Sequence, residues 1–119
     1  MKDLNAVYQE LKAILQPYAE QLDTKVDTDS ELYVDTRHIQ KNKKPLFFGA
    51  VQIKKNYVSY YLMPVYVDPG LLEGVSDKLK KRMQGKSCFN FTDIDQALFN
   101  ELAQLTQAAF HSYEQQGWV

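Results

Sequence analysis

The densest group of potential metal ligands in this 119-residue chain is a set of carboxylates that follows the first predicted helix. The four acidic residues are Asp23, Asp27, Asp29 and Glu31. Carboxylates this close in sequence can bind a hard cation such as Ca²⁺, or an iron ion. Their spacing differs from that of a calcium-binding loop, and no glycine supplies its sharp turn. A solvated loop is the alternative, because residues 23–31 have almost no apolar side chain to bury.

A nucleophilic site would have to use Cys88 together with His38 or His111. Their spacing gives no support for such a pair, and a lone cysteine on a predicted strand is more typical of a core position. The segment Gly85-Lys86-Ser87 resembles the end of a phosphate-binding loop, but Lys80 stands where that motif needs a glycine. A helix also precedes the segment where the motif requires a strand. We therefore expect no enzymatic activity.

Aromatic side chains in the middle of the chain favour a ligand groove, because they combine ring surface with hydroxyl groups. We predict that the groove is lined by Phe48, Tyr60, Tyr61, Tyr66 and the basic Lys86. The alternative is that these rings form a core face covered by the middle helix.

Charge is segregated along the chain, although the net charge is only −1. Residues 36–67 carry six basic residues and no acid, whereas both ends are acidic. Basic residues interleaved with aromatic ones can bind nucleic acid. We do not expect a nucleic-acid partner, because the chain is acidic overall and contains no recognition motif.

The first element predicted to position these residues is an amphipathic helix that begins after Asp3 and follows the apolar spacing from Leu4 to Leu22. Pro17 predicts a kink, or a stop near Leu15 followed by a short restart. A short strand is predicted over residues 32–36, after the loop at residues 23–31.

A central β-hairpin is predicted over residues 45–63, with Lys54-Lys55-Asn56 as a three-residue loop. In this register Gly49 faces Tyr61, whose ring would cover the bare glycine. A two-residue loop would shift the register by one. Both faces of the hairpin are mostly apolar. If no helix covers the second face, that face is the expected binding site.

The remaining elements complete an α+β pattern. Residues 64–67 are predicted to continue extended, and a middle helix follows, with an interruption at Gly74 and a new cap at Ser76 as an alternative. Residues 88–91 form a strand, and Thr92 caps the last helix. The order predicts an antiparallel sheet of about four to five strands with N- and C-terminal helices packed on it and a short middle helix. We expect one domain over residues 1–119.

Three segments of the chain resemble the YdhG-like family, a bacterial family of small domains of unknown function (domain of unknown function 1801). They are Phe48-Gly49-Ala50, residues 57–61 and residues 85–91. The resemblance covers about residues 30–112 and implies a frataxin-like arrangement, with terminal helices on an antiparallel sheet. It also implies an alternative function as an intracellular iron chaperone, in which the carboxylates of residues 23–31 would bind the iron.

The setting and the partners follow from composition. A single cysteine, the absence of an apolar run of about 18 residues and an N-terminus unlike a signal peptide favour a cytoplasmic protein without a membrane partner. The leading hypothesis is non-enzymatic binding of a small ligand or a protein partner through the sheet and the middle helix. A homodimer stays open.

Overall fold

A computed structural model describes residues 3–119. Helix α1 spans Leu4–Ala19, and the Asp3 carboxylate caps it by accepting a hydrogen bond from the Ala6 amide at 3.1 Å. Pro17 lies inside the helix, so the predicted stop near Leu15 is wrong. The helix can continue because Pro17 lies in its last turn, where a single backbone hydrogen bond is lost while the apolar face stays buried.

The sheet consists of five antiparallel strands that pair in chain order. They are β1 (Asp23–Asp27), β2 (Glu31–Ile39), β3 (Pro45–Ile53), β4 (Val58–Leu62) and β5 (Cys88–Phe91). The prediction of a loop over residues 23–31 is wrong for residues 23–27, because β1 pairs along β2 despite an irregularity between Thr24 and Val26, whereas residues 28–30 do form a turn. An edge strand needs only one partner and few buried side chains, so a polar sequence can form it.

Strands β3 and β4 form the predicted hairpin. Its register differs by one residue from that predicted with a three-residue loop, as in the predicted alternative of a one-residue shift. Ile53 pairs with Val58 rather than Tyr57, and residues 54–57 connect the two strands. The Lys54 amide donates to the Tyr57 carbonyl at 2.8 Å across this loop. The shift puts Ala50, and not Gly49, opposite Tyr61.

Gly49 therefore has a different role from the one predicted. A Cβ atom at this position would lie 2.9 Å from the Tyr61 carbonyl oxygen and 3.3 Å from Leu15 Cδ1. The glycine is required because the neighbouring strand and α1 both approach its backbone closely. The proposed cover by the Tyr61 ring is wrong.

The segment between β4 and β5 is built from short helical pieces. Helix α2 (Met63–Val67) replaces the extended chain predicted for residues 64–67. A 3-10 helix follows at Pro69–Leu72, and α3 spans Asp77–Lys80. Ser76 caps α3 by accepting from the Leu79 amide at 3.2 Å, which confirms the predicted interruption and new cap.

The last helix, α4, spans Gln96–Gln115 and begins later than predicted. Its N-cap is Asp95 and not Thr92, since the Asp95 carboxylate accepts from the Leu98 amide at 3.1 Å. The amide of Trp118 donates to the Tyr113 carbonyl at 3.0 Å, and their rings lie 5.3 Å apart. The chain thus folds back after α4.

Helices α1 and α4 pack side by side on one face of the sheet, and the shorter helical pieces contact α4. The core between the two layers includes the fully buried Phe48, Tyr60 and Phe89. The predicted fold class, α+β with an antiparallel sheet and terminal helices, is confirmed. Among residues 3–119, no helix has both the length and the apolar character needed to cross a membrane.

Candidate functional site

A pocket of about 380 Å³ opens where α2 leaves the end of the central hairpin. It brings together two of the predicted ligand-binding residues, Tyr66 and Lys86. The lining consists of Val65, Tyr66, Pro69, Leu72, Met83, Gly85 and Lys86. We call this site the Tyr66 pocket. Its volume lies within the range of about 300–1,000 Å³ that is typical of small-molecule sites.

Helix α2 positions Tyr66 at the mouth of the pocket. Pro64 lies in the first turn of this helix, and its carbonyl accepts from the Asp68 amide at 2.8 Å. Val65 faces the core and is 1% exposed, whereas the Tyr66 side chain is 54% exposed. The short helix thus anchors one wall while it leaves a large ring in solvent.

The loop before β5 positions Lys86 on the opposite wall. Gly85 has φ +83°, a left-handed conformation that side chains other than that of glycine rarely adopt. The Gln84 amide donates to the Cys88 carbonyl, and the Leu62 amide donates to the Ser87 carbonyl, both at 2.8 Å. These bonds join the loop to β5 and to the end of β4.

Among residues 3–119, Lys86 is the only charged residue that lines the Tyr66 pocket. Its Nζ atom lies 5.8 Å from the centre of the Tyr66 ring, within range of a cation–π interaction. No ion pair within residues 3–119 engages it. An apolar cavity with one uncompensated cation can bind an anion that carries an apolar body.

The other predicted groove residues lie elsewhere. Phe48 and Tyr60 are fully buried in the core, and the Tyr60 hydroxyl lies 2.7 Å from Thr106 Oγ1. Both are therefore corrected from groove to core positions, although the terminal helices α1 and α4 contact them rather than the middle helix of the predicted alternative. Tyr61 is half-buried and alternates with Tyr60 along β4, so its ring lies on the face of the sheet that carries no helix.

That second sheet face is partly filled by its own side chains. The rings of Tyr33 and Phe47 stack with centres 4.8 Å apart, a pair that the sequence analysis missed. Next to them, the Ser59 hydroxyl donates to Asn90 Oδ1 at 2.7 Å, and the Cys88 thiol donates to the same oxygen at 3.4 Å. The face is thus a mixed aromatic and polar surface.

Cys88 lies in this polar network. Burial raises the pKa of its thiol, an effect that hydrogen bonds with Ser59 and Tyr61 partly oppose. The ring of His38 packs against Trp118 at 5.7 Å, and His111 lies beside Glu114 at 3.5 Å. Neither contact brings an imidazole to the thiol.

The four carboxylates of the metal hypothesis lie in neighbouring segments: Asp23 and Asp27 on β1, Asp29 in the turn that follows, and Glu31 at the start of β2. Lys12 Nζ contacts the Asp27 carboxylate, and Lys25 Nζ contacts that of Asp23, both at 2.6 Å. The Glu31 carboxylate accepts a hydrogen bond from the side-chain amide of Gln52 at 2.5 Å. Within residues 3–119, no three His, Cys, Asp or Glu side chains come close enough together to hold a metal ion.

Two larger clefts lie in the groove between α1 and α4, with volumes of about 460 and 530 Å³. Both are more open to solvent than the Tyr66 pocket, and their linings share Tyr18, Gln104 and Gln107. Glu10 and Glu114 add negative charge. This groove lacks the enclosed apolar surface of the smaller pocket.

Most of the apolar lining of the Tyr66 pocket was not predicted from the sequence. Val65 lies in the segment predicted to be extended, whereas Leu72 and Met83 lie in the predicted middle helix, for which an interruption at Gly74 is the alternative. The break of that helix frees the latter two side chains to line the cavity. Gly74 and Ser76 were the signals for the break.

Comparison of the chain with models of known families, with curated proteins and with solved structures found no match. The resemblance to the YdhG-like family and its frataxin-like arrangement therefore stays a prediction, and the Tyr66 pocket is the candidate functional site on its geometry alone.

Proposed function

We propose that this protein binds a small organic anion with an apolar body in the Tyr66 pocket, without catalysing a reaction. The observation that carries the proposal is the lining of the pocket, which is apolar except for Tyr66 and the ammonium group of Lys86. The protein-partner alternative has no comparable observation in its favour.

The two kinds of lining group would act on different parts of the ligand. Leu72 and Met83 offer apolar surface, and burial of the ligand there contributes about 25 cal/mol for each Å² of apolar area removed from water. Lys86 would pair with the anionic group at the mouth. The Tyr66 ring, in contact with both the ammonium and the solvent, would close over the apolar part.

The non-catalytic part of the proposal is supported by the surroundings of Cys88. The raised pKa of its thiol favours the protonated form, which is a poor nucleophile. The thiol donates to an amide oxygen, Asn90 Oδ1, which cannot act as a general base. A single cysteine also fits a reducing compartment such as the cytoplasm, where we place the protein.

The test is a titration followed by amide chemical shifts, with octanoate, 3-phenylpropionate and naphthalene-1-sulfonate as probes. We expect saturable shifts confined to residues 65–72 and 83–87 for at least one probe. Lys86→Gln should weaken its binding about fivefold, because one exposed charge pair is lost. Octylammonium should bind more weakly than octanoate, since its charge is repelled by Lys86.

Lys55→Gln is the matched control, because it removes an exposed charge from the hairpin loop, outside the lining of the pocket. It should leave the dissociation constants unchanged. The proposal fails if all three anions bind elsewhere or not at all at millimolar concentration. It also fails if Lys86→Gln and Lys55→Gln behave alike.

A further inference from the structure

A smaller cleft, of about 260 Å³, borders the same 81–86 segment as the Tyr66 pocket. It is bounded by the end of the β3–β4 loop, the chain after α3 and the edge of β5. The lining consists of Tyr57, Lys81, Arg82, Met83, Gln84, Asn90 and Thr92. We call it the Tyr57 cleft. Met83 is the one residue common to both linings.

The Tyr57 cleft carries two cations on a fixed backbone. Lys81 and Arg82 are exposed, and within residues 3–119 no ion pair engages either of them. The Arg82 amide donates to Leu79, and its carbonyl accepts from the Asn90 amide at 2.8 Å. Asp77, in α3, is the acid nearest in sequence to these two cations, and Asp93 follows the lining residue Thr92, whose hydroxyl donates to the Asp93 carboxylate at 3.3 Å. Within residues 3–119, no acid lines the cleft, so it suits an anion such as a phosphate.

The cleft also presents a ring and an oriented amide. Tyr57 is 37% exposed, and the hydrogen bond from the Lys54 amide to its carbonyl holds the loop that carries it. The Ser59 hydroxyl and the Cys88 thiol both donate to Asn90 Oδ1. With its oxygen engaged, the Asn90 side chain retains an NH₂ group that can donate to a ligand.

From this arrangement we propose that the Tyr57 cleft binds a phosphorylated aromatic compound of the mononucleotide class. The phosphate pairs with Arg82 and Lys81, the base stacks on the Tyr57 ring, and the Asn90 amide donates to a ring acceptor. Stacking on tyrosine tolerates any base, so the class is defined by a planar ring joined to a phosphate. This site is independent of the Tyr66 pocket and of the ligand proposed there.

The experiment is a titration with AMP followed by amide chemical shifts and calorimetry, with adenosine and inorganic phosphate as comparison probes. We expect AMP to bind more tightly than either comparison probe and to shift residues 57, 81–84 and 90. Arg82→Gln should weaken AMP binding about tenfold, because a charge-assisted contact is lost. Tyr57→Leu should weaken it about fivefold or more through lost stacking.

Lys80→Gln is the matched control, because it removes an exposed charge from a position outside the cleft lining. Lys86→Gln should also leave AMP binding unchanged, which separates this site from the Tyr66 pocket. The proposal is overturned if AMP and inorganic phosphate bind equally well, since the ring is then not recognised. Equal effects of Arg82→Gln and Lys80→Gln, or no saturable shift at residues 57 and 90, overturn it too.

Discussion

The substitution Gly49→Ala tests whether close approach of two backbones dictates the glycine at the centre of the sheet. A Cβ atom at this position would lie 2.9 Å from the carbonyl oxygen of Tyr61 and 3.3 Å from Leu15 Cδ1. The Leu15 side chain can rotate away, but the carbonyl oxygen belongs to the backbone of β4. The substitution therefore forces the strands to shift.

The expected magnitude combines two opposing effects. Overpacking of a tight core costs about 1–3 kcal/mol. Replacement of glycine by alanine also stabilises the folded state by about 0.4–1 kcal/mol, because it lowers the conformational entropy of the unfolded chain. We therefore expect Gly49→Ala to lower the free energy of unfolding by about 1–2 kcal/mol. Urea denaturation followed by circular dichroism measures this change as a lower midpoint at an unchanged slope.

Gly74→Ala is the matched control, since a Cβ atom at Gly74 would meet no heavy atom within 4 Å. Its free energy of unfolding should stay within about 0.5 kcal/mol of the wild type. If Gly49→Ala is as stable as Gly74→Ala, the register of β3 against β4 described above is refuted. A further variant, Leu15→Val in the Gly49→Ala background, should recover little stability, because the carbonyl contact remains.

Three further predictions concern the buried hydroxyl, the buried carboxylate and the acidic strand. Tyr60→Phe should lower the free energy of unfolding by about 1 kcal/mol, as measured by urea denaturation, because the Tyr60 hydroxyl loses its hydrogen bond. The Tyr60 hydroxyl is the donor of that bond, since the Thr106 hydroxyl already donates to the Leu102 carbonyl. Unchanged stability would contradict this bond. Asp35→Asn should be more stable than the wild type at neutral pH, since burial raises the pKa of the Asp35 carboxyl, with Lys25 opposing the shift. The Asp35 carboxylate binds a proton at higher pH in the folded state than in the unfolded state, so the wild type recovers stability as the pH falls towards the ordinary pKa of 3.8. The difference in unfolding free energy between Asp35→Asn and the wild type should therefore shrink over that range, and a difference that grows would refute the reasoning. Anaerobic calorimetry with Fe²⁺ should give the same weak binding before and after all four acids are changed to Asn or Gln, because two of them already contact lysines. Tight binding that is lost in this variant would instead support the iron-chaperone alternative. These four acids are Asp23, Asp27, Asp29 and Glu31.

Elements with a strong periodic pattern were predictable from local sequence. The apolar spacing after Asp3 predicted the first helix with its cap, and the two apolar runs on either side of residues 54–56 predicted the central hairpin. These patterns are sufficient to predict an element, because the period of its apolar residues indicates both its type and its buried face. Ser76 was also identified as a cap, because a serine before an acidic residue and an apolar one is a local signal.

The pairing of β1 could not be read from its own residues. Its side chains are mostly polar and exposed, and the strand exists because β2 offers it backbone hydrogen bonds. The same reasoning explains the error over residues 64–67, where the chain becomes helical and packs against α4. Tertiary contacts outweighed weak local preference in both places.

The sequence by itself determined the α+β class, the central hairpin and the presence of Tyr66 and Lys86 among the candidate ligand residues. Only the tertiary structure decided which of the candidate rings are buried. Phe48 and Tyr60 lie on strands and face the core, whereas Tyr66 lies on the exposed side of α2. In a strand, a shift of one residue in register exchanges the buried face and the other face. The Tyr66 pocket exists because the chain turns into α2 directly after β4, and because the turn at Gly85 brings Lys86 close to Tyr66. These two residues are 20 positions apart, so no local sequence pattern could predict that they meet.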